Sequence, residues 1–274
     1  MMQNNIWRLI ISSPSTGPWN MAIDEAILEA VMQNHVPPTL RLYSWHPTAL
    51  SIGHAQPISE VNIEYLKDNG LDFVRRPTGG RAILHADELT YSVCAPLNGA
   101  HVRGGVIESY RQISQCLLRA LELSGIEATA KPKAEQDRPL SKDPVCFQYP
   151  SDYEITFHGK KIIGSAQARK TNGLLQHGAI PLFGDIARII SALTFNSEED
   201  RNKAKIRLLS RATTLQFARG KLISWKELAL SIVTAFEEIM KIQFVRSSLS
   251  KNEFSRAKVL RKEKYSNRSW TFRI

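Results

Sequence analysis

Arg75-Arg76-Pro77-Thr78-Gly79-Gly80-Arg81-Ala82-Ile83-Leu84-His85 is the stretch on which the reading of this chain turns. A strand-like run, Phe73 to Arg76, ends in two arginines. A proline then fixes a turn, and two adjacent glycines lead into a second short apolar run, Ala82 to Leu84. Adjacent glycines let a backbone pass close to a ligand and present N–H groups with no Cβ in the way. The arginines suit an anion or a carboxylate. The spacing is neither a Walker phosphate loop nor GxGxxG, so a nucleotide-binding reading of the usual kind fails. A tight hairpin with exposed charges fits the same letters, and local spacing leaves both readings open. His85 ends the short run, with Asp87, Glu88, Thr90 and Tyr91 close behind it. A lone histidine is more often structural than catalytic, but this one lies beside the glycine turn.

Outward from this turn the chain alternates short strands and helices. Upstream, Met21, Ala22, Ala26, Ile27, Ala30 and Val31 recur at helical spacing from Trp19 to Val31, after a Gly17-Pro18 start. Leu40 to Trp45 and Ala49 to Gly53 read as strands, with Val61 to Asn69 a short helix. Downstream, Leu89, Tyr91 and Val93 alternate with Thr90, Ser92 and Cys94, a strand pattern. Val106 to Ser124 is a helix whose apolar line runs Ile107, Tyr110, Ile113, Leu117, Ala120 and Leu121, with Gly125 as its cap. Lys131 to Pro144 reads as a polar loop. A hairpin follows, Tyr153 to Phe157 and Lys161 to Ala166 around His158-Gly159, and then a strand from Leu174 to Leu182. Ala187 to Leu193 and Ser224 to Lys241 read as helices, the second with Ser224 and Glu227 at capping-box spacing and a stripe of Leu228, Ile232, Phe236 and Ile239. Strands that pair locally, with no regular βαβ alternation, predict an α+β fold. The simplest division is a catalytic domain over residues 1–245 and a C-terminal extension over 246–274 packed on it.

Composition narrows the function classes. The 274 residues carry 36 Lys and Arg against 26 Asp and Glu, a formal charge of +10. At 43 % hydrophobic residues this is neither a disordered tail nor, lacking any apolar run of about 18 residues, a membrane span. No secretory leader is visible, and three cysteines without CxxC spacing argue against a disulfide scaffold or a zinc site. The expectation is a reduced, cytoplasmic protein with no metal. The positive charge gathers late, through Lys203, Lys205, Arg207, Arg211, Arg219 and Lys221 and then Arg256, Lys258, Arg261, Lys262 and Lys264. No nucleic-acid motif accompanies it, and a solvated basic face is the plainer account. The stretch Phe195 to Lys221 carries no other legible motif.

Two further segments carry chemistry. In Lys160-Lys161-Ile162-Ile163-Gly164-Ser165-Ala166 a lysine opens an apolar strand that ends in small residues, which leave room for an elongated ligand. Such a lysine could face a carboxylate, a phosphate or a developing oxyanion; alternatively both lysines of a hairpin face solvent. Since neighbours on a strand point opposite ways, at most one of Lys160 and Lys161 faces a site. Cys146 ends the polar loop, whereas Cys94 and Cys116 fall in core-like patterns. A loop cysteine near a lysine can have a lowered pKa and act as a nucleophile.

Taken in order, RRPTGGRAILH, ELTYSV, VCFQYPSDYE, GKKIIGSAQARK and LLQHGAI, with the early NMAIDE helix and the closing KYSNRSW, resemble the biotin/lipoate protein ligase and octanoyltransferase superfamily. The likeness is greatest to octanoyltransferases of the LipM type and covers nearly the whole chain. It implies a mixed β-sheet flanked by helices, the class II synthetase-like catalytic fold. It implies that Arg76, Thr78, Gly79, Gly80, Arg81 and His85 line an acyl tunnel, that Gly164, Ser165 and Ala166 follow a catalytic Lys161, and that His177 and Gly178 face the same pocket. Cys146 matches the transferase nucleophile, which lipoate ligases lack. The implied partners are octanoyl-acyl carrier protein as donor and the glycine-cleavage H protein or lipoyl domains as acceptor, with no nucleic acid and no membrane. No cofactor is implied. The alternatives are a lipoate–protein ligase, which would use ATP and Mg²⁺, and a non-enzymatic basic binding module.

Overall fold

The helix α1 (Gly17–Met32) is buried on nearly every side from Asn20 to Leu28, including two carboxylates, Asp24 and Glu25. A helix apolar all round belongs inside, between layers, and its surroundings organise the fold. The structure, a computed structural model, describes residues 5–99, 101–132 and 153–274. The strands are β1 (Ile6–Ile11), β2 (Thr39–Tyr43), β3 (Ala49–Ile52), β4 (Asp72–Arg75), β5 (Ile83–His85), β6 (Glu88–Pro96), β7 (Thr129–Pro132), β8 (Tyr153–Phe157), β9 (Lys160–Arg169), β10 (Gly173–Pro181) and β11 (Gln243–Arg246). The remaining α-helices are α2 (Ile63–Asp68), α3 (Val106–Leu123), α4 (Glu198–Arg211), α5 (Leu215–Arg219), α6 (Trp225–Met240), α7 (Lys251–Leu260) and α8 (Arg268–Thr271), and the helix expected at Ala187 to Leu193 is a 3-10 helix, Ile186–Ala192.

Among the described residues the strands form a large mixed sheet, in the order β11-β1-β2-β6-β10-β9-β8-β7, and a small sheet, β4-β3-β5. Helices α3 and α6 cover one face of the large sheet, where Leu89, Tyr91, Val93 and Ala95 of β6 meet Ile113, Leu117, Ile232 and Phe236. Helix α1 covers the other, with Met21, Ile23, Ile27 and Leu28 against Cys94 and Leu175. The alternation in β6 is therefore real, but its polar side, Thr90 and Ser92, is buried rather than solvated. The expected α+β mixed sheet flanked by helices is what the chain forms.

Several local expectations need correction. Lys131 and Pro132 end a strand, β7, because β8 offers them a ladder. Ile239 is 42 % exposed and Met240 is buried in its place. The basic stretch after Phe195 folds into α4, capped by the Ser197 side chain and opened by Glu198, Glu199 and Asp200. Its Ala204 and Leu208 seal the small sheet. Residues from α7 onward lie on α1: Ala257, Leu260 and Tyr265 join its apolar cluster. Lys264 Nζ and the Tyr265 hydroxyl both reach the Glu25 carboxylate, and Arg256 pairs with Glu29 at 2.6 Å. No helix among the described residues is long and apolar enough to cross a membrane.

Candidate active site

The antiparallel pairing of β9 with β10 sets Ala166 opposite His177, Ser165 opposite Gly178 and Gly164 opposite Ala179. These small residues, with Met21 of α1, Tyr43, Trp45, Ser51, Arg76, His85 and Thr90, line a narrow and mainly apolar cavity. Gly178 is required by packing: a Cβ there would stand 2.6 Å from Tyr91 Cε1, 2.7 Å from Ser165 Oγ and 2.8 Å from the Gly164 carbonyl oxygen. The Tyr91 hydroxyl and Ser165 Oγ share a 2.7 Å hydrogen bond behind it.

The glycine turn is held from three sides. Arg76, buried, donates to the Gly79 carbonyl at 2.7 Å and to the Arg81 carbonyl at 2.8 Å, and its other nitrogen reaches Ser51. The His54 N–H donates to the Thr78 carbonyl. Gly53 packs so closely beneath the turn that a Cβ on it would fall 2.0 Å from the Gly80 carbonyl oxygen. Gly80 itself sits at φ +90°, where a side chain is strained, whereas Gly79 faces open space. Arg81 leaves the cavity and pairs with Glu60 at 3.1 Å. Arg75 is spent inside the protein: it is fully buried and donates to the carbonyls of Gly53, His54, Gln56 and Thr271. Two arginines that read as anion ligands thus act first as braces for backbone carbonyls.

Two buried imidazoles form the polar wall. His85 stacks on Trp45 at 3.9 Å, with its Nε2 2.7 Å from Ser51 Oγ and its Nδ1 2.7 Å from Glu88. His177 places Nε2 2.7 Å from the Thr78 hydroxyl and Nδ1 3.7 Å from Asp24 Oδ2. Burial pushes the His177 pKa down, and the Asp24 carboxylate only partly opposes this. The ring is therefore neutral at neutral pH, its proton held on the Asp24 side and Nε2 free to accept from Thr78. Asp24 is itself completely buried. Burial raises its pKa, but the Arg41 guanidinium at 2.7 Å, with His177, outweighs this and holds it below the usual carboxylate value. Tyr43 and Ser92 donate their hydroxyls to it at 2.9 and 2.8 Å.

Of the residues predicted from sequence, the cavity brings together Arg76, His85, Gly164, Ser165, Ala166, His177 and Gly178. Thr78 stands one hydrogen bond away, and Gly79, Gly80 and Arg81 form the adjoining turn. Lys161, expected to line the pocket, is buried, but its ammonium meets Glu154 at 2.8 Å and it does not line the cavity. Lys160 turns outward to the Leu209 carbonyl. Cys146 lies outside the described residues. Sequence reasoning missed Asp24, Arg41, Tyr43, Trp45 and Ser51 as site residues. The one legible signal was a charged Asp24 in the middle of an apolar helical run.

A family model, the lipoyl protein ligase A/B catalytic domain, matches residues 17–237. The octanoyltransferase LipM of Carboxydothermus hydrogenoformans is 38 % identical over 98 % of this chain and 99 % of its own length. That of Anoxybacillus flavithermus is 36 % identical over 99 % of this chain and all of its own. Among solved structures, a bipartite lipoate protein ligase from Thermoplasma acidophilum superposes with a TM-score of 0.80 at 24 % identity, covering 97 % of this chain and 95 % of that one. A lipoate-protein ligase A bound with ATP gives 0.78, also at 24 % identity, over 97 % and 98 %. With the family model spanning most of its length, this chain belongs to the lipoyl protein ligase A/B catalytic domain family.

Proposed function

We propose that this acyltransferase moves an octanoyl group from octanoyl-acyl carrier protein, through a thioester on Cys146, to a lysine of the glycine-cleavage H protein or of a lipoyl domain. The observation that carries octanoyl transfer is the end-to-end similarity to LipM octanoyltransferases. The cavity supports it: small residues facing the rings of Tyr43 and Trp45 suit an unbranched acyl chain, whose six methylenes contribute about 0.8 kcal/mol each when buried.

In this reading the Cys146 thiolate attacks the thioester carbonyl. The C–S bond to the carrier arm breaks and the arm leaves as a thiolate, which takes up the proton that Cys146 released on ionising. A lysine amine of the acceptor then attacks the S-octanoyl group, an amide C–N bond forms, and the amine's proton passes to the departing Cys146 sulfur. A thioester is already activated, so ATP has no part. To Lys161, whose ammonium must exchange Glu154 for the reacting centre, this reading assigns the lowering of the thiol pKa and the stabilisation of the tetrahedral oxyanion. Lys160, on the outward face, does neither.

Intact-mass measurement tests this directly. Incubated with octanoyl carrier protein and no ATP, the protein should gain one octanoyl group that hydroxylamine removes. Cys146→Ala should lose both the adduct and transfer, and Lys161→Ala should lose far more turnover than Lys160→Ala. Transfer that requires ATP and free octanoate, or a fully active Cys146→Ala variant, would make the chain a ligase instead.

A further inference from the structure

From Lys251 to Ile274 the chain holds eight Lys and Arg against two Glu, which is six of its ten net positive charges. Several of these cations lie on aromatic rings rather than against carboxylates. Arg273 sits 4.0 Å over the Trp270 ring, with Lys264 4.3 Å from the same centroid and His54 edge-on at 5.6 Å. Arg268 covers Phe272 at 4.3 Å. Of these, Lys264 is neutralised by Glu25, whereas Arg268 and Arg273 have no acidic partner among the described residues. Arg273, Arg75, Lys264 and Lys170 all act on His54 and, after burial, depress its pKa in turn. Lys170, exposed just past the end of β9, acts on the same imidazole as the C-terminal cations.

This surface is bonded to the cavity wall. Arg273 donates to the His54 carbonyl at 2.8 Å, the His54 N–H donates to the Thr78 carbonyl at 2.8 Å, and the Thr78 hydroxyl contacts His177. His54, Gly79 and Gly80 are exposed between them.

We infer that the face formed by Lys170, His54, Arg268 and Arg273 docks the acidic protein domain that delivers the acyl thioester. This inference rests on the acyltransferase reading above and assigns its donor. The alternative occupant, the acceptor, must bring a lysine ammonium to the pocket, and a rim of unpaired cations repels it. The donor's acyl chain is neutral, and its pantetheine arm is attached through an anionic phosphodiester. Cations at such a rim act mainly on encounter and on salt dependence.

The test compares two donors: octanoyl carrier protein, and octanoyl-pantetheine, which has neither protein nor phosphate. Lys170→Glu should raise KM for the carrier by about tenfold, with kcat and the kinetics on octanoyl-pantetheine unchanged, and Arg273→Glu should raise KM for the carrier about tenfold more than KM for octanoyl-pantetheine. Arg273→Gln, which keeps a donor for the His54 carbonyl, should give a smaller rise in the same direction. Added salt should weaken the wild type more than the Lys170→Glu/Arg273→Glu double variant. Equal losses on both donors, a rise in KM for the acceptor alone, or no change would each overturn the assignment. Binding of unacylated carrier protein, followed by calorimetry, separates the two readings. Binding weakened by these variants supports the face even if no octanoyl transfer is found; binding indifferent to them refutes it while leaving the acyltransferase reading intact.

Discussion

Asp24→Asn probes the polar wall behind the cavity with almost no change in volume. In the native protein Asp24 and Arg41 are both completely buried and 2.7 Å apart, so water can relieve neither. Oδ1 accepts from Arg41 and Ser92, and Oδ2 from Tyr43. Asparagine keeps one acceptor and loses the charge. With its oxygen toward Arg41 and Ser92, its amide meets Tyr43, whose hydroxyl must turn to accept. Breaking a buried ion pair from one side costs about 3–5 kcal/mol. Arg41 keeps its bonds to Asn20 and Ser12, which places the expected loss at the lower end, about 3 kcal/mol. For a chain of this size that corresponds to a fall in melting temperature of about 6–12 °C, at about 2–4 °C per kcal/mol. Chemical denaturation and calorimetry should agree on it. Arg41→Met should cost a similar amount, and the double variant clearly less than the sum, because each single change strands the other's charge. A loss below about 1 kcal/mol for Asp24→Asn, or strict additivity in the double variant, would refute the claim that this pair is desolvated and mutually dependent.

Gly178→Ala should destabilise by about 1–3 kcal/mol, since the new methyl meets the Gly164 carbonyl as well as a tyrosine ring, and only separating β9 from β10 relieves it. The same variant should raise KM for every octanoyl thioester, and a neutral melt with native kinetics would show that the two strands part without cost. Acidification should destabilise through His177. Its folded pKa lies below the ordinary value of about 6.5, so the unfolded chain binds the proton more readily. Its contribution is fully present above about pH 6.5 and is lost as pH falls through the folded value. His54 and His101 are depressed too and add in the same direction. Asp24 adds a second loss at lower pH, below the ordinary aspartate value of about 3.9. A stability profile flat from pH 7.5 to pH 5, or a His177→Gln variant with an unaltered profile, would contradict this.

How much of this was legible beforehand depended on range. Helices α1, α3 and α6 were readable because their apolar periods, caps and flanking glycines are local. So was the β8–β9 hairpin: its turn residues, His158 and Gly159, both adopt positive φ, as the turn between paired strands demands. The ordered motifs were enough to place the chain in its family, and with it the glycine turn, His85, the small residues of β9, and His177 around one cavity. What these residues do within it was not legible. Arg75 reads as an anion ligand because nothing near it in sequence shows the carbonyls of Gly53, Gln56 and Thr271 that accept its protons. The β9 register carries an irregularity opposite Ile155 and Thr156, beside Lys161, which no alternation pattern announces. Read locally, Asp24 is a charge within an apolar helical run. Its partners come from β2, β6 and β10, up to 153 residues away, and only their convergence makes a buried carboxylate tolerable. Local sequence sets helix, strand and turn because those energies act within a few residues. Where a charge may be buried is decided by desolvation against long-range partners, and that balance exists only once the layers have closed.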